Sequence, residues 1–552
     1  MKKIKYLIII LISASLTIFS CQDVLDEVVV SGVTGEYLNT PEGFKAGVNA
    51  SYQRLRNYYG NGEHGHNLTV FGTDEFTNGG HGGFHYMNKY EAGLNAEASP
   101  FWHLWQHFYL GINACNAVIT RAEDSDMTPA QKNPGLGEVR FLRAHYYFIL
   151  VQHFGPVHLT LEETVGVETE ANRTSEDVIY NAIIEDLEFA IAHLPVVQGE
   201  FGRITRPAAE NMLAEVLLTR GYTDFAQSND FSRAAELATG VINNYGFALY
   251  DDLTEVWNHD NEQNDEVIWS VQYSEDPLLW PGNNSHLYFR PWYEVYNDGL
   301  NRALGHGYGR PWIRVNPTPW LLENFRPLDV DSRFEKNFQS VWYYNTTQNI
   351  PEGASVGDTA IWVTDKYLTQ ADVDAIKGRL PGVNIFTWHH DNMDDPWYRE
   401  RNIFPNPWKF DDNKRPSVNE ANGSRNFIVY KLSKTYLVAA EAMYMRDGNG
   451  TAAVEYINTL RRRAAHPGME SEMEITAADV DIDFILDERS RELFGEYSRW
   501  KDLKRTGKLL ERVRKYNPDE GADNIRDIHV LRPIPANQLI RTSNDYGQNP
   551  GY

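Results

Sequence analysis

The chain has 552 residues, 51 of them basic and 76 acidic, for a formal net charge of −25. That balance argues against nucleic-acid binding, which needs basic patches, and two cysteines cannot make a disulfide framework. Stability must come from a large apolar core, for which this length is ample.

Residues 1–20 read as a secretion signal of the lipoprotein type. Lys2, Lys3 and Lys5 give a charged start, and Tyr6 to Phe19 is an apolar run. A bilayer span takes roughly 20 apolar residues, so this run is a removable leader rather than a membrane helix. Ile18-Phe19-Ser20-Cys21 puts a small residue before a cysteine, the pattern of a lipid-attachment site at Cys21. The alternative is an ordinary signal cut near Ser20, with Cys21 incidental. Lipidation of Cys21 leaves Cys115 as the other thiol, with no partner for an internal disulfide. One acyl chain holds a protein only marginally, whereas several anchor it.

No run rich in Gly and Ser marks a linker, so residues 21–552 are expected to form a single body. Its texture changes along the chain. Residues 41–250 and 425–515 carry helical patterns, 251–424 are loop-rich, and 516–552 form an irregular tail. Thr174-Ser175-Glu176-Asp177 predicts a capping box. Ile179, Ile183, Leu187, Ala190 and Leu194 then share a helix face that Pro195 ends. Helices are predicted at Ala208–Tyr222 and Phe231–Tyr245. Tyr436, Ala439, Ala440 and Met443 have helix spacing, Asp447-Gly448-Asn449-Gly450 breaks it, and Val454, Ile457 and Leu460 resume it. Helix, short turn, helix, repeated, is similar to degenerate tetratricopeptide pairs, whose period is about 34 residues. A plain helical bundle is the alternative. The expected fold class is mainly α, a helix-pair scaffold with a large irregular insert.

Two loop segments carry chemistry. Phe71 to Tyr90, FGTDEFTNGGHGGFHYMNKY, is too rich in Gly and Asn for a regular element, and offers Asp74, Asn78, His81, Phe84, His85 and Tyr86. Residues 280–344 hold fifteen aromatics and six prolines, well above the chain-wide 13% aromatic content. Trp280-Pro281-Gly282-Asn283-Asn284, Arg290-Pro291-Trp292-Tyr293 and Arg310-Pro311-Trp312 set rings beside rigid polar turns. A flat ring can stack on the C–H face of a sugar while Asn, Asp or Arg bond its hydroxyls. Any one of these rings is equally suited to be a core rivet. Arg290, Arg310 and Arg314 could make a local basic patch.

Metal and catalytic signals are weak. His64-Gly65-His66 and His389-His390-Asp391 lack further ligands at metal spacing, and H-E-x-x-H is absent. Asp394-Asp395 and Asp411-Asp412 match no calcium loop. No cofactor is expected, and calcium has no motif behind it. Neither G-x-S-x-G nor a P-loop occurs. A carboxylate pair for glycoside hydrolysis is a spatial feature that sequence does not reveal.

Arg489 to Val513 reads RSRELFGEYSRWKDLKRTGKLLERV. Glu488, Arg489, Arg491, Glu492, Glu496 and Arg499 alternate in sign at spacings that predict pairing along a helix. Gly507, after Lys504 and Arg505, is a normal helix stop. The chain closes with LRPIPANQLIRTSNDYGQNPGY, from Leu531 to Tyr552, rigid turn chemistry rather than a loose polar end.

The leader with its cysteine, this charged motif and this ending together resemble the SusD/RagB nutrient-uptake lipoproteins of the bacterial outer membrane. The motif has Gly495 before Glu496 and Tyr497 after it, where the family often has glycine after the glutamate. The resemblance implies an outer-membrane, lipid-anchored protein facing the cell exterior. Asp23, Asp26 and Glu27 then resemble the export tag of surface lipoproteins, or are a solvated tether. It also implies a non-enzymatic glycan binder that hands oligosaccharide to a SusC-like TonB-dependent transporter. Such proteins often build their glycan site from the early loop and the aromatic middle together. On that regional basis Asp74, Asn78, Tyr86, Trp280, Trp292 and Tyr293 are the expected ligand contacts. The alternatives are a glycoside hydrolase or lyase, and a helical-repeat scaffold for peptide or protein.

Overall fold

The computed structural model describes residues 37–552 except 38, 280, 297, 306, 389–400 and 520–522. The leader, Cys21, Trp280, His389-His390-Asp391 and Asp394-Asp395 lie outside the described residues. The longer helices are α1 Pro41–Tyr52, α2 Ser99–Glu123, α3 Pro129–Phe154, α4 Glu176–His193, α5 Arg206–Arg220 and α6 Asp230–Asn244, then α7 Gln370–Arg379, α8 Leu432–Asp447, α9 Val454–Ala464, α10 Ile482–Leu493, α11 Arg499–Arg505 and α12 Leu509–Tyr516. Each of α1 to α5 packs on the helix that follows it. The row then skips the whole insert, because α6 packs on α8, and α8 on α9 and α10. Ala234, Ala235 and Ala238 of α6 and Ala439, Ala440 and Ala442 of α8 are buried. Side chains this small let helix axes approach closely.

Local chemistry sets the helix starts. The Thr40 and Thr205 hydroxyls accept from Gly43 N and Ala208 N, and Pro41 and Pro129 open α1 and α3. The expected box at Thr174 is corrected: Ser175 is the cap residue, with no side-chain cap bond, and Thr174 N instead donates to Val157 O at 2.8 Å. A backbone bridge has claimed the residue that would have capped. α4 ends at His193, two residues before Pro195.

Short strands organise the insert and tie the early loop and the helical row to it: β1 Phe76–Asn78, β2 Val267–Val271, β3 Val315–Pro317, β4 Phe338–Gln339, β5 Val341–Tyr343, β6 Thr359–Thr364, β7 Asn384–Thr387, β8 Asn406–Pro407 and β9 Phe427–Lys431. They form small separate sheets, β1–β3, β2–β9, β4–β8 and β5–β6–β7. The antiparallel β2–β9 pair, with Val267 opposite Lys431, is the neck through which the chain leaves and rejoins the helical row. One apolar core runs through both parts, from Phe44 and Phe141 to Tyr293, Trp342 and Phe494. Cys115 belongs to it, and burial pushes its thiol up to about 12.

The charged motif behaves differently from its reading as one helix face. It breaks into α10, α11 and α12, with Gly495 and Gly507 at φ +75° and +72°. Glu488 does pair with Arg491 within α10, but also with Arg333 at 2.7 Å and Arg461 at 2.9 Å. Arg489 pairs with Asp502, Glu492 with Arg463, and Glu496 with Lys409 and Lys431. Glu488, Glu492 and Asp502 are buried, and the Glu496 side chain is only 7% exposed. Buried charges persist only when paired, so these charges bolt the motif to the insert and to α9 instead of decorating a surface.

The tail is pinned to the end of α3. Asn549 donates to Phe154 O at 2.9 Å and Arg532 O at 2.8 Å and accepts from Arg173 at 2.5 Å. Arg532 is itself buried, its guanidinium 4.3 Å from the Trp500 ring centre. Among the described residues no helix is long and apolar enough to cross a membrane.

Candidate ligand-binding site

β1 and β3 stitch the early loop to the middle of the insert, with Phe76 opposite Pro317, Thr77 opposite Asn316 and Asn78 opposite Val315. The contact continues past the strands: Gly79 N donates to Arg314 O at 3.1 Å and His81 N to Ile313 O at 3.2 Å. A Cβ on Gly79 would lie 2.2 Å from Ile313 O, so glycine is required there. Ile313 has φ +53°. That conformation is unusual for a β-branched residue and costs about 1–3 kcal/mol. The surroundings enforce it: Ile313 N donates to Arg290 O at 3.2 Å while its carbonyl receives His81 N. The neighbours of this strained residue, Trp312 and Arg314, both face a common cavity.

The cavity has a volume of about 460 Å³ and is lined by His81, Trp292, Arg302, Arg310, Pro311, Trp312, Ile313, Arg314 and Asn419. His81 and Trp292 meet edge to face, ring centres 5.2 Å apart. The Arg314 and Arg310 guanidinium carbons lie 5.1 and 6.0 Å from the Trp312 ring centre, within cation–π range. Arg302 is gripped by Glu294 through both carboxylate oxygens, and Arg314 by Glu63 at 2.7 Å. Arg310 donates to the Asn419 carbonyl at 3.1 Å, and Asn419 Oδ1 accepts from Arg302 at 2.9 Å. Two indoles, an imidazole, an amide and three guanidiniums thus converge on one opening.

Of the residues expected from sequence, Trp292 lines this cavity. Trp280 lies outside the described residues. Tyr86 is half-buried beside Phe84 and is not part of the wall. Three expectations are corrected by burial. Asp74 is sealed and bound to Arg499 at 2.6 Å and Arg512 at 2.7 Å. Burial alone would raise its carboxyl, but the two guanidiniums outweigh it and hold the group below the usual carboxylate range. Asn78 is buried within β1. Tyr293 is sealed, its hydroxyl donating to Tyr308 O at 2.6 Å and Gly309 O at 3.1 Å.

The basic patch is also corrected. Arg290 is buried against Asp411, and Arg302 stands in the wall with Arg310 and Arg314. Most of the aromatic window is core, including Tyr288, Phe325 and Trp342. Trp320 is covered by Arg512, Arg499 and Tyr516, remote in sequence. Sequence reading missed Arg302, Asn419 and the role of Ile313. The Arg310-Pro311-Trp312 triplet was the available signal, whereas nothing local singles out Asn419.

Asp411 and Asp412 are engaged by Arg290 and by the Ser424 and Arg425 amides. His66 is buried against Tyr288 and Phe289, and His64 stacks on His103. Among the described residues no group of three or more His, Cys, Asp or Glu is placed to hold a metal ion. A second cavity, about 330 Å³, lies between α1, β2 and the Glu200–Arg203 turn. Its indole, Trp269, is buried and donates to Gly202 O, so that ring is committed to the core.

A profile of the SusD family matches residues 265–552, and a second, described as starch-binding associating with outer membrane, matches residues 44–218. SusD-like protein P2 of Formosa agariphila is 26% identical over the whole of both chains. The starch-binding protein SusD of Bacteroides thetaiotaomicron is 22% identical over 81% of this chain and 78% of its own. A solved structure described as a laminarin binding SusD-like protein matches with a TM-score of 0.67 and 23% identity, over 93% of this chain and 99% of its own. Surface glycan-binding protein A from B. thetaiotaomicron, in complex with laminarihexaose, matches at 0.66 and 21%, over 92% and 99%. These structural likenesses show a shared architecture, and the sequence match fixes its lineage: the chain belongs to the SusD family.

Proposed function

We propose that this protein is a lipid-anchored, cell-surface glycan binder that captures oligosaccharide and passes it to a SusC-like TonB-dependent transporter in the outer membrane. The observation that carries the reading is the cavity presenting Trp292 and Trp312 beside hydrogen-bonding side chains. Indole faces suit the C–H faces of sugar rings, and His81, Asn419 and the guanidiniums suit hydroxyls. The starch, laminarin and laminarihexaose named for its relatives support the ligand class. The Cys21 pattern and the second family description support the location. The transporter is proposed on family membership.

In this reading the ligand is held and not cut. Glycoside hydrolysis uses a pair of carboxylates across the scissile bond. The described cavity wall is built from indoles and cations instead, and the nearby Glu63 and Glu294 are engaged by Arg314 and Arg302. Isothermal titration against a panel of oligosaccharides tests this, with chromatography of each mixture after prolonged incubation. Saturable binding with intact ligand is expected. Failure to bind any glycan, or release of shorter products, overturns it. Cys21→Ala is expected to move the protein from the outer-membrane fraction to the soluble one, and a barrel transporter is expected to co-purify with the wild type.

A further inference from the structure

The cavity wall has the opposite sign to the chain that builds it. The protein carries 76 acidic residues and a net charge of −25. Yet the described wall holds Arg302, Arg310 and Arg314 and no carboxylate. Two of the three are neutralised from behind, Arg302 by Glu294 and Arg314 by Glu63. Arg310 is different. It is half-buried, it donates to the Asn419 carbonyl, and among the described residues no carboxylate lies within ion-pair range of it. Asn419 also fixes Arg302, so one side chain and its own carbonyl orient two guanidiniums toward the same space.

A fixed, partly desolvated guanidinium with no carboxylate partner among the described residues is a receptor for a planar or tetrahedral anion. Its donors form a rigid fork that matches carboxylate or sulfate oxygens in pairs. Screening is weaker here than at an open surface, so the attraction acts at short range even though the protein as a whole is acidic. We infer that the oligosaccharide this cavity takes is itself acidic, bearing uronate carboxylates or sulfate esters, and that Arg310 receives the anionic group while Trp292 stacks on a sugar ring. The inference rests on the carbohydrate reading and narrows it.

Charge-matched pairs test it. The purified protein is titrated with hexagalacturonate and its methyl ester, with a sulfated galactan hexasaccharide and its desulfated form, and with laminarihexaose and inorganic sulfate alone. In at least one pair the acidic member is expected to bind at least tenfold tighter than its neutral twin, and which pair identifies the anion. Arg310→Gln is expected to bring that ratio close to one, and Arg310→Lys to restore part of it. Thermal melting shows that both variants are folded. Equal binding within both pairs, or a ratio untouched by Arg310→Gln, overturns the inference. Binding of laminarihexaose with none of the acidic sugars overturns it too, but leaves the carbohydrate reading standing. Failure of every sugar overturns both. Inorganic sulfate binding as tightly as the sulfated sugar would reduce the site to a bare anion pocket and overturn the inference.

Discussion

Asp74 and Arg499 are joined through both carboxylate oxygens, at 2.6 and 2.7 Å, across most of the length of the chain and wholly out of water. Arg512 shares the same carboxylate at 2.7 Å. Asp74→Asn would leave two buried guanidiniums facing an uncharged amide. Breaking such a pair costs about 3–5 kcal/mol, and urea unfolding at pH 7 should show it. The sign of the pH dependence follows from the depressed carboxyl. Its contribution is present above the ordinary value of 3.8 and is lost as pH falls through the lower, folded value. The gap between wild type and variant should therefore narrow only in strong acid. A gap that is largest in acid would contradict the assignment.

Glu75, the next residue, should titrate in the opposite sense. Burial pushes its carboxyl up to about 7, against the pull of Arg499 and with the help of the Asp74 charge. Between 4.5 and about 7 the folded chain keeps a proton that the unfolded chain has released. The stability this supplies is full below 4.5 and is lost as pH rises through about 7. Glu75→Gln fixes the neutral form, so relative to wild type it should gain on the order of 3 kcal/mol between pH 4.5 and pH 8. Denaturant unfolding at both pH values measures it, and parallel profiles would show that Glu75 is ionised throughout.

Trp292 and Tyr293 are adjacent in sequence and divide into opposite roles. Trp292→Ala removes a ring from the cavity and should weaken glycan binding about tenfold, about 1.4 kcal/mol, with little effect on melting. Tyr293→Phe removes a buried hydroxyl from two carbonyls. It should cost about 1 kcal/mol of stability while changing affinity per folded molecule less than about threefold, well short of the tenfold that marks a hot-spot contact. Titration and thermal melting of both variants give the comparison, and a reversed pattern would displace the site from this cavity.

Asn549→Ala tests the ending. It abolishes donation to the Phe154 and Arg532 carbonyls and acceptance from Arg173. None of these four residues lines the cavity. A loss of about 2–3 kcal/mol is expected, read by urea unfolding, with glycan affinity preserved. Unchanged stability would mean that the tail's order adds nothing to the fold.

What sequence disclosed and what it hid have physical reasons. The spacing of Tyr436, Ala439, Ala440 and Met443 announced α8 because helical periodicity is a local property. The pairing of the Phe71–Tyr90 loop with the aromatic middle was expected only from the family resemblance, and β1–β3 joins the two segments. Individual contacts were not legible. Asp74 looks like a ligand group in a polar loop until Arg499 and Arg512, far along the chain, are brought onto it. Tyr293 and Trp292 are indistinguishable in a string of letters, and the backbone decides which one faces inward. Alternating charges in the motif predicted pairing along one helix, yet burial also sends them to Arg333, Arg461 and Arg463.

The β2–β9 neck brings the departing and returning ends of the insert side by side, where α6 already lies on α8. An excursion whose ends meet imposes no displacement on what flanks it. The insert can therefore vary in length and in its exposed rings while the α6–α8 contact that flanks it keeps its spacing.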